Sequence, residues 1–339
     1  MRVMLAAGTT ETGLIEGISA AGASRDVLAQ TPPADAEILV YGEPVCAPVT
    51  PVSPSGCPTP AAVTRAVREV VGFEVTVIDA GLAEPTVAPT VDLETAPGGD
   101  IREAVAVADA ETVFEAAARL GANLPEERLL IGETIPGGTT TALGVTSALG
   151  EPIGVSSSLA ENPLERKRAV VREGLAASSL EAGACAGEPL AAIRAVGDPV
   201  QAAVAGVVTG ALESGTAVTL AGGTQLVAVA ALVRHAGIGG PLSLATTSFV
   251  AGDPAVDLER AAERFDLELT VTDPGFDESE HVSMARYCAG EGKEGVAMGG
   301  ALSLVPDGEL ETVRDRLERV CARLGIDGRV PLETDAEGA

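Results

Sequence analysis

The chain has 339 residues, 46% of them hydrophobic, and its 49 acidic against 22 basic residues give a formal net charge of −27. The hydrophobic fraction excludes disorder, and this length can bury a full core in one large domain or in two smaller ones. The negative charge argues against nucleic acid and anionic membranes as partners, because the sequence offers no basic stripe that could follow their phosphates.

Short apolar runs predict β-strands at residues 38–41, 74–78, 128–131, 217–220, 243–245 and 267–271. Alanine-rich segments predict helices at residues 60–71, 110–120, 140–148, 164–177, 199–213, 225–235 and 257–265. This alternation favours an α/β fold: a mostly parallel, Rossmann-like doubly wound sheet with helices on both faces and a smaller accessory helical part. In such a sheet, ligands bind outside the carboxyl ends of the strands.

We expect a single α/β domain over residues 1–330, with a proline-rich excursion at residues 42–60. That segment either separates an N-terminal part from the main sheet or is a long surface loop. A helix at about 309–325 carries one apolar stripe, formed by Leu310, Val313, Leu317, Val320 and Leu324. The stripe packs on the chain's own core or forms a dimer seam. We predict a homodimer and a disordered tail at residues 331–339.

Lysine is almost absent, since Lys167 and Lys293 are the only two lysines and every other basic residue is arginine. A folded, acidic, lysine-poor chain is typical of a halophilic protein, because counterions at high salt screen the repulsion between its surface charges. The alternative is an ordinary acidic protein.

The start of the chain and its cysteines indicate a cytoplasmic protein with reduced thiols. MRVMLAAGTT lacks a charged leader and an apolar signal core, and no uncharged apolar run is long enough to span a bilayer. The five cysteines are widely spaced and form no C-x-x-C pair. The only histidines, His235 and His281, belong to no cluster with metal-ligand spacing, so we expect no metal site.

The segment GETIPGGTTTALG, residues 132–144, resembles a phosphate-binding P-loop without its lysine. Gly138 stands where the P-loop lysine would reach a triphosphate, and Glu133 precedes the glycines. A predicted strand runs into this segment and a helix follows it. Backbone N–H groups at a helix N-terminus accept anions, and the residues placed to do so here are Gly137, Gly138, Thr139 and Thr140. The alternative is a plain strand–helix turn capped by threonines.

Three further segments are candidates for a ligand site. In GEGKEG, Glu291 stands between Gly290 and Gly292, although a surface turn would also explain this pattern. In AGGTQLVAV, a predicted strand ends in Gly222, Gly223 and Thr224, at a strand end that faces a ligand crevice. In ERKRAVVREGL, Lys167 is one of the two lysines that the chain retains. It is either a ligand-binding residue or a residue on a solvated helix face.

Taken together and in this order, these segments resemble the nicotinate-nucleotide–dimethylbenzimidazole phosphoribosyltransferase family, and in particular its divergent archaeal (haloarchaeal-type) branch. GETIPGGTTTALG resembles the family's G-E-M-G-I-G-N-T-T-T-A, with Glu133 on its glutamate. GEGKEGVAMGGAL resembles G-E-G-[ST]-G-A-A-L, whose glutamate is the proposed catalytic base, and Glu291 matches it. ERKRAVVREGL resembles a segment whose lysine holds the 5′-phosphate of nicotinate mononucleotide, and Lys167 falls on that position.

The resemblance covers about residues 6–304 and includes weaker segments such as GDPVQAAVAG, AAGTTETGLIEGISA and TVIDAG. The chain departs from the family where Thr9 and Thr10 replace an Asp-His pair and where Gly-Gly-Thr replaces D-G-F. A serine-rich phosphate segment survives only near Ser248. The proline-rich segment 42–60 has no counterpart.

The resemblance implies transfer of phosphoribose from nicotinate mononucleotide to a benzimidazole-type base, giving nicotinate and an α-ribazole 5′-phosphate for the lower ligand of a cobamide. Glu291 would be the general base, Glu133 would orient the base or stabilise charge, and Lys167 would neutralise the phosphate. Ser19 is a candidate for the base pocket. No cofactor is expected, and the partners are small-molecule substrates.

Two other classes of function remain open from the sequence. A P-loop-like nucleotide hydrolase or kinase would need an aspartate that binds Mg²⁺ after an apolar strand, for which Asp79 and Asp273 are the candidates. A non-catalytic nucleotide-sensing module would keep Lys167 and the threonines but would not need Glu291.

Overall fold

A computed structural model describes residues 1–19, 25–53 and 55–328. In this part of the chain seven parallel strands form one sheet: β1 (Arg2–Ala7), β2 (Glu74–Asp79), β3 (Thr90–Asp92), β4 (Arg128–Thr134), β5 (Ala217–Ala221), β6 (Leu242–Thr247) and β7 (Glu268–Thr272). The helices are α1 (Arg25–Tyr41), α2 (Ala61–Val71), α3 (Ala110–Ala122), α4 (Gly138–Leu149), α5 (Leu164–Ala177), α6 (Pro189–Val196), α7 (Pro199–Glu213), α8 (Thr224–His235), α9 (Ser248–Ala251), α10 (Leu258–Phe265), α11 (Val282–Cys288), α12 (Met298–Leu302) and α13 (Leu310–Arg323). Short 3-10 helices lie at Glu11–Leu14 and Phe276–Glu278.

The strand order is β3-β2-β1-β4-β5-β6-β7. The order reverses between β1 and β4, where Ala7 pairs with Thr134. In open α/β sheets a ligand binds at such a switch point, because the connections leave the two neighbouring strands toward opposite faces and open a crevice. The fold therefore places its crevice at the ends of β1 and β4.

Helices cover both faces of the sheet, as the sequence predicted. Successive residues of β1 point to opposite faces: Met4 and Ala6 belong to the core under α3–α8, whereas Val3 and Leu5 belong to the core under α2, α12 and α13. Because both faces of β1 are covered, its side chains from Val3 to Ala7 are fully buried. The α/β, doubly wound prediction is confirmed.

The prediction of a strand at residues 38–41 is wrong, since these residues form the last turn of α1. An apolar run of four residues fits a strand or one buried helical turn equally well. Here Ile38 and Leu39 pack beside α2 and α13 in a buried cluster. The central strand β1 was missed because it is buried on both faces and shows no apolar–polar alternation.

The C-terminal helix exists as α13, and its apolar stripe packs on α2 within the same chain. Val313, Leu317 and Val320 are buried there, so the stripe needs no second subunit to cover it, and the homodimer stays a prediction. The tail predicted to be disordered, residues 331–339, lies outside the described residues. No helix in the described ranges has the length and apolar character to cross a membrane.

Candidate active site

A cavity of about 160 Å³ opens at the carboxyl edge of the sheet, beside the switch point. Its walls include the segment 133–139 from the end of β4, residues 156–158, the start of α8, the segment 292–296 before α12, and four residues from the N-terminal part of the chain: Ile18, Ser19, Thr31 and Asp35. The proline-rich segment contributes further wall residues: Pro51, Val52, Ser53, Cys57, Pro58, Thr59 and Pro60. Sequence reasoning left the relation of this segment to the site open, and the structure places it in the cavity wall.

The loop between β4 and α4 forms the cavity floor and resembles the cradle predicted from its glycines. Gly137 caps α4 with a left-handed backbone, φ +89°. A Cβ atom at Gly137 would lie 2.7 Å from the Cα atom of Gly13, so both the conformation and the close approach of a second loop require glycine. Gly138 and Thr139 also line the cavity, at the N-terminus of α4. Thr140 is fully buried inside the helix and does not line it.

Two glutamates, Glu133 and Glu294, reach the cavity from neighbouring segments. Burial, together with the nearby carboxyls of Asp198 and Glu294, raises the pKa of Glu133 to about 8. Burial likewise raises the pKa of Glu294 to about 7, although backbone N–H groups oppose this. The N–H of Gly299 donates to Glu294 Oε1 at 2.8 Å, and the hydroxyl of Thr246 donates to Oε2 at 3.3 Å. Two carboxyls of shifted pKa in one cleft are typical of an acid–base site.

Glu294 is held by a strained turn. Val296 and Ala297 have left-handed backbones, with φ +51° and φ +62°, which is costly for residues that carry a Cβ atom, above all for β-branched valine. The surrounding structure maintains this conformation, because the N–H of Val296 donates to the carbonyl of Glu133 at 2.8 Å. The hydroxyl of Thr64 donates to the carbonyl of Val296 at 2.7 Å. The hydrogen bond between Val296 and Glu133 thus links the segments that carry the two glutamates.

The only two lysines of the chain lie close to each other beside the cavity. Lys167, on α5, is fully buried, and its Nζ donates to the carbonyl of Ser156 at 2.8 Å. Lys293 Nζ lies 2.8 Å from Asp253 Oδ2 in a buried ion pair. Burial lowers the pKa of Lys167 to about 7; Asp253 opposes this shift and Lys293 adds to it. Lys293 and Ser156 line the cavity, and Lys167 lies directly behind Ser156.

A third buried carboxyl group, that of Asp35, comes from α1. Its side chain lines the cavity, and Asp35 as a whole is 2% exposed. The hydroxyl of Thr59 donates to Oδ1 and that of Thr134 to Oδ2, both at 2.6 Å. Burial raises the pKa of Asp35 to about 7, against the lowering effect of the two hydroxyls.

Glu291 does not line the cavity among the described residues. Its Oε2 accepts hydrogen bonds from the hydroxyls of Ser53 and Ser55 in the proline-rich segment. Its Oε1 lies 4.0 Å from Arg286 Nη1. The carboxylate therefore ties the proline-rich wall to the turn that precedes Glu294.

The structure brings part of the predicted site set to the cavity. Lining residues are Ser19, Glu133, Gly137, Gly138, Thr139, Gly223, Thr224 and Gly292. Predicted residues outside the lining are Thr140, Lys167, Gly222, Ser248, Gly290 and Glu291. Sequence reasoning missed Asp35, Lys293 and Glu294. For Glu294 the signal was present, since the dipeptide Glu-Gly occurs twice in GEGKEGVAMGG and the second copy lies next to the helix.

The alternative sites for a metal receive no support. Asp79 Oδ1 accepts the N–H groups of Gly81 and Leu82, and Asp273 Oδ1 accepts that of Gly275. Neither aspartate lines the cavity. In the described ranges no group of three or more histidine, cysteine and carboxylate side chains could hold a metal ion.

Comparison with known proteins defines the class of the chain. A family model described as a phosphoribosyltransferase matches residues 59–237. A UPF0284 protein of Halobacterium salinarum is 58% identical over 323 residues, which cover 94% of this chain and 97% of that protein. A UPF0284 protein of Methanothermobacter thermautotrophicus is 42% identical over 329 residues, which cover 93% and 91%.

Solved structures share the fold. CobT from Thermus thermophilus matches with a TM-score of 0.63 at 20% identity, over 96% of this chain and 86% of that chain. A nicotinate-nucleotide–dimethylbenzimidazole phosphoribosyltransferase structure from the same organism gives a TM-score of 0.62 at 19% identity, with the same coverage of the two chains. The fold and the family model together define an α/β phosphoribosyltransferase, and therefore an enzyme. As its motifs predicted, the chain belongs to the nicotinate-nucleotide–dimethylbenzimidazole phosphoribosyltransferase family.

Proposed function

We propose that the enzyme transfers phosphoribose from nicotinate mononucleotide to a benzimidazole-type base, releasing nicotinate and forming an α-ribazole 5′-phosphate for cobamide lower-ligand assembly. The observation that carries the proposal is the set of groups that one cavity brings together. Lys293, two glutamates of raised pKa and apolar residues of the proline-rich segment line this cavity, and Lys167 lies behind its wall at Ser156.

The two lysines suit a monophosphate. Lys293 lines the cavity, with its Nζ paired with Asp253 Oδ2 at 2.8 Å, and in this proposal it donates to the phosphate. Lys167 lies behind the wall at Ser156 and contributes charge without lining the cavity. The N-terminus of α4 adds the backbone N–H of Thr139, whereas the N–H of Gly138 donates to the carbonyl of Ile135 at 3.1 Å. A monophosphate needs neither Mg²⁺ nor the P-loop lysine, which accounts for glycine at position 138.

Glu294 is the better placed general base. Attack by the ring nitrogen of the acceptor forms a bond to C1′, breaks the bond to the nicotinate nitrogen and inverts C1′. The acceptor then loses its N–H proton, which a carboxylate of pKa near 7 can accept at neutral pH. Glu133, with a pKa of about 8, is largely protonated at neutral pH and suits an orienting or charge-stabilising role. Glu291, outside the cavity, leaves the base role in this proposal.

The proposal is tested by nicotinate release, followed chromatographically, from nicotinate mononucleotide in the presence of benzimidazole. Release that depends on benzimidazole, with a matching riboside product, is the expected result. The control replaces the donor with ATP, which we expect to give no base-dependent release of phosphate. Absence of nicotinate release with every base tried, from folded enzyme in high salt, would refute the proposal.

Salt tolerance and assembly are part of the proposal. The excess of acidic over basic residues and the two lysines support a halophilic enzyme. A homodimer remains our expectation, and size-exclusion chromatography with light scattering measures it directly.

A further inference from the structure

Asp35 is a buried carboxyl group that the transfer chemistry leaves without a role. It comes from α1, lines the cavity and has no ion-pair partner within the described ranges. Its hydrogen-bond partners there are the hydroxyls of Thr59 and Thr134. A buried carboxyl without a cation is expensive, so its persistence in a ligand cavity indicates a further partner.

Both oxygens of Asp35 retain capacity to accept a hydrogen bond. Each accepts one threonine hydroxyl at 2.6 Å, and a carboxylate oxygen offers two lone pairs. Ile18, Pro51, Val52, Pro58 and Pro60 line the same cavity, together with the polar residues Ser19, Thr31 and Ser53. An alkyl group placed against Asp35 would leave its free lone pairs unsatisfied, whereas an N–H or O–H group would satisfy one.

The position of Asp35 along the cavity identifies the substrate part that it meets. The hydroxyl of Thr134, at the end of β4, donates to the carboxyl of Asp35. The hydroxyl of Thr247, at the end of β6, donates to the backbone carbonyl of Lys293. Neighbouring strands lie about 4.8 Å apart, so two strand spacings separate these points by about 10 Å. On this separation we place the phosphate near Lys293 and the base at Asp35, with the ribose between them.

From this placement we propose that Asp35 selects an acceptor base that carries a hydrogen-bond donor on its outer ring edge, away from the attacking nitrogen. The chemical class is a hydroxy- or amino-substituted bicyclic base rather than an alkyl-substituted one. The inference rests on the proposed function, because it assumes that a base occupies the cavity at Asp35.

The test compares three acceptors that share one attacking ring: benzimidazole, 5-hydroxybenzimidazole and 5,6-dimethylbenzimidazole. We expect kcat/KM for the hydroxy compound to exceed that for the dimethyl compound by about 10-fold or more. The hydroxy compound gains a buried hydrogen bond to Asp35, whereas the dimethyl compound leaves the carboxylate of Asp35 unsatisfied. In Asp35→Ala the ratio of kcat/KM for the hydroxy compound to that for the dimethyl compound should fall to within about threefold of one. The value of kcat/KM for benzimidazole should change by a smaller factor than this ratio.

Two controls separate selection from folding. Asp35→Asn retains an acceptor oxygen and should keep part of the preference. Asp79→Asn alters a carboxyl outside the cavity, which accepts backbone N–H groups, and should leave the ratio unchanged. An equal loss on all three bases in Asp35→Ala, or a preference for the dimethyl compound in the parent enzyme, would overturn the inference. Failure of benzimidazole itself to release nicotinate would instead refute the proposed function.

Discussion

The hydroxyl of Ser53 donates a hydrogen bond of 2.6 Å to Oε2 of Glu291, and so joins the proline-rich segment to the turn before α12. Ser55 donates to the same oxygen. Ser53 lines the cavity and Glu291 does not. We therefore propose that Glu291 is a positioning residue, which acts on the substrate through the cavity wall that it holds.

Glu291→Ala should raise KM for the acceptor base about 3- to 10-fold with little change in kcat, because the wall loosens while the reacting carboxyls stay in place. This is the cost of about one hydrogen bond. Ser53→Ala removes one of the two hydroxyls that donate to Glu291 and should give a smaller change, and the double variant should be no worse than Glu291→Ala, which already removes that contact. Steady-state kinetics over acceptor concentration provides the measurement. A fall in kcat of about 100-fold with unchanged KM would restore Glu291 as the general base.

Glu294→Gln should lower kcat by about 100-fold or more, with donor affinity within about threefold of the parent value. Glutamine keeps the shape and the hydrogen bond from Gly299 but cannot accept the proton. In the parent enzyme kcat should rise with pH through about 7, as the carboxyl of Glu294 ionises. Glu133→Gln is the matched comparison, and it should lower kcat less because Glu133 is already mostly protonated. Equal loss in both variants would indicate that the two carboxyls act as one coupled pair.

Stability should fall as the pH rises from 5 to 7. Asp35, Glu133 and Glu294 have folded pKa values of about 7, 8 and 7, above the values near 4 of unfolded carboxyls. The folded state therefore binds more protons in this window, and its stabilisation, complete below pH 4, is lost as the pH rises through the folded values. Each of these three carboxyl groups changes the free energy of unfolding by at most about 1.4 kcal/mol per pH unit.

Urea unfolding at pH 5, 6 and 7 in constant high salt measures this slope. Glu133→Gln removes one titrating group and should flatten the slope by up to one proton equivalent. Above pH 7 the buried Lys167, whose folded pKa is about 7, contributes with the opposite sign, so the window from 5 to 7 is the informative one. A slope of zero or a rise of stability with pH there would contradict the prediction.

Lys167→Met should weaken donor binding by about 1.5–3 kcal/mol, the scale of a charge-assisted hydrogen bond. Methionine preserves the buried volume, and Lys293→Met is the matched substitution at the second lysine. Since the free-enzyme pKa of Lys167 is about 7, a phosphate that raises it should draw in a proton at pH 8. Calorimetry of nicotinate mononucleotide binding in two buffers of different ionisation enthalpy measures that uptake. Unchanged donor affinity and no proton uptake would place Lys167 in a purely structural role behind Ser156.

The melting temperature should rise with KCl from low to molar concentration. The net charge of −27 makes self-repulsion large, and added salt screens it. A thermal melt series in KCl, with sucrose at matched osmolality as the control for excluded-solute effects, makes the measurement. A flat or falling midpoint would contradict the halophilic prediction.

Periodicity and turn signals predicted α5 and α7 at their observed bounds. They could not identify β1, because a strand buried on both faces has no alternating pattern. Nor could they distinguish the last turn of α1 from a strand, since only the packing of Ile38 against α2 and α13 decides between them. Long-range packing, which single-segment patterns do not contain, determined both.

At the site, the glycine and threonine cradle was predictable because its chemistry is local in sequence. The convergence of Lys167 and Lys293 was not, since they are distant in the chain and meet only through α5 and the segment before α12. The choice between Glu291 and Glu294 depended on a three-residue offset between two Glu-Gly dipeptides. Only the fold shows that the second of these glutamates lines the cavity and the first does not.

The left-handed backbone at Val296 and Ala297 also has a consequence for protein engineering. Glycine at either position would relax the native conformation but would enlarge the unfolded ensemble, so the net effect on stability is the difference of two opposed contributions. Stabilising substitutions are therefore better sought elsewhere. If a variant selected for thermal stability relaxed this turn, Glu294 would leave its place beside Glu133. We expect such a variant to gain stability and to lose turnover.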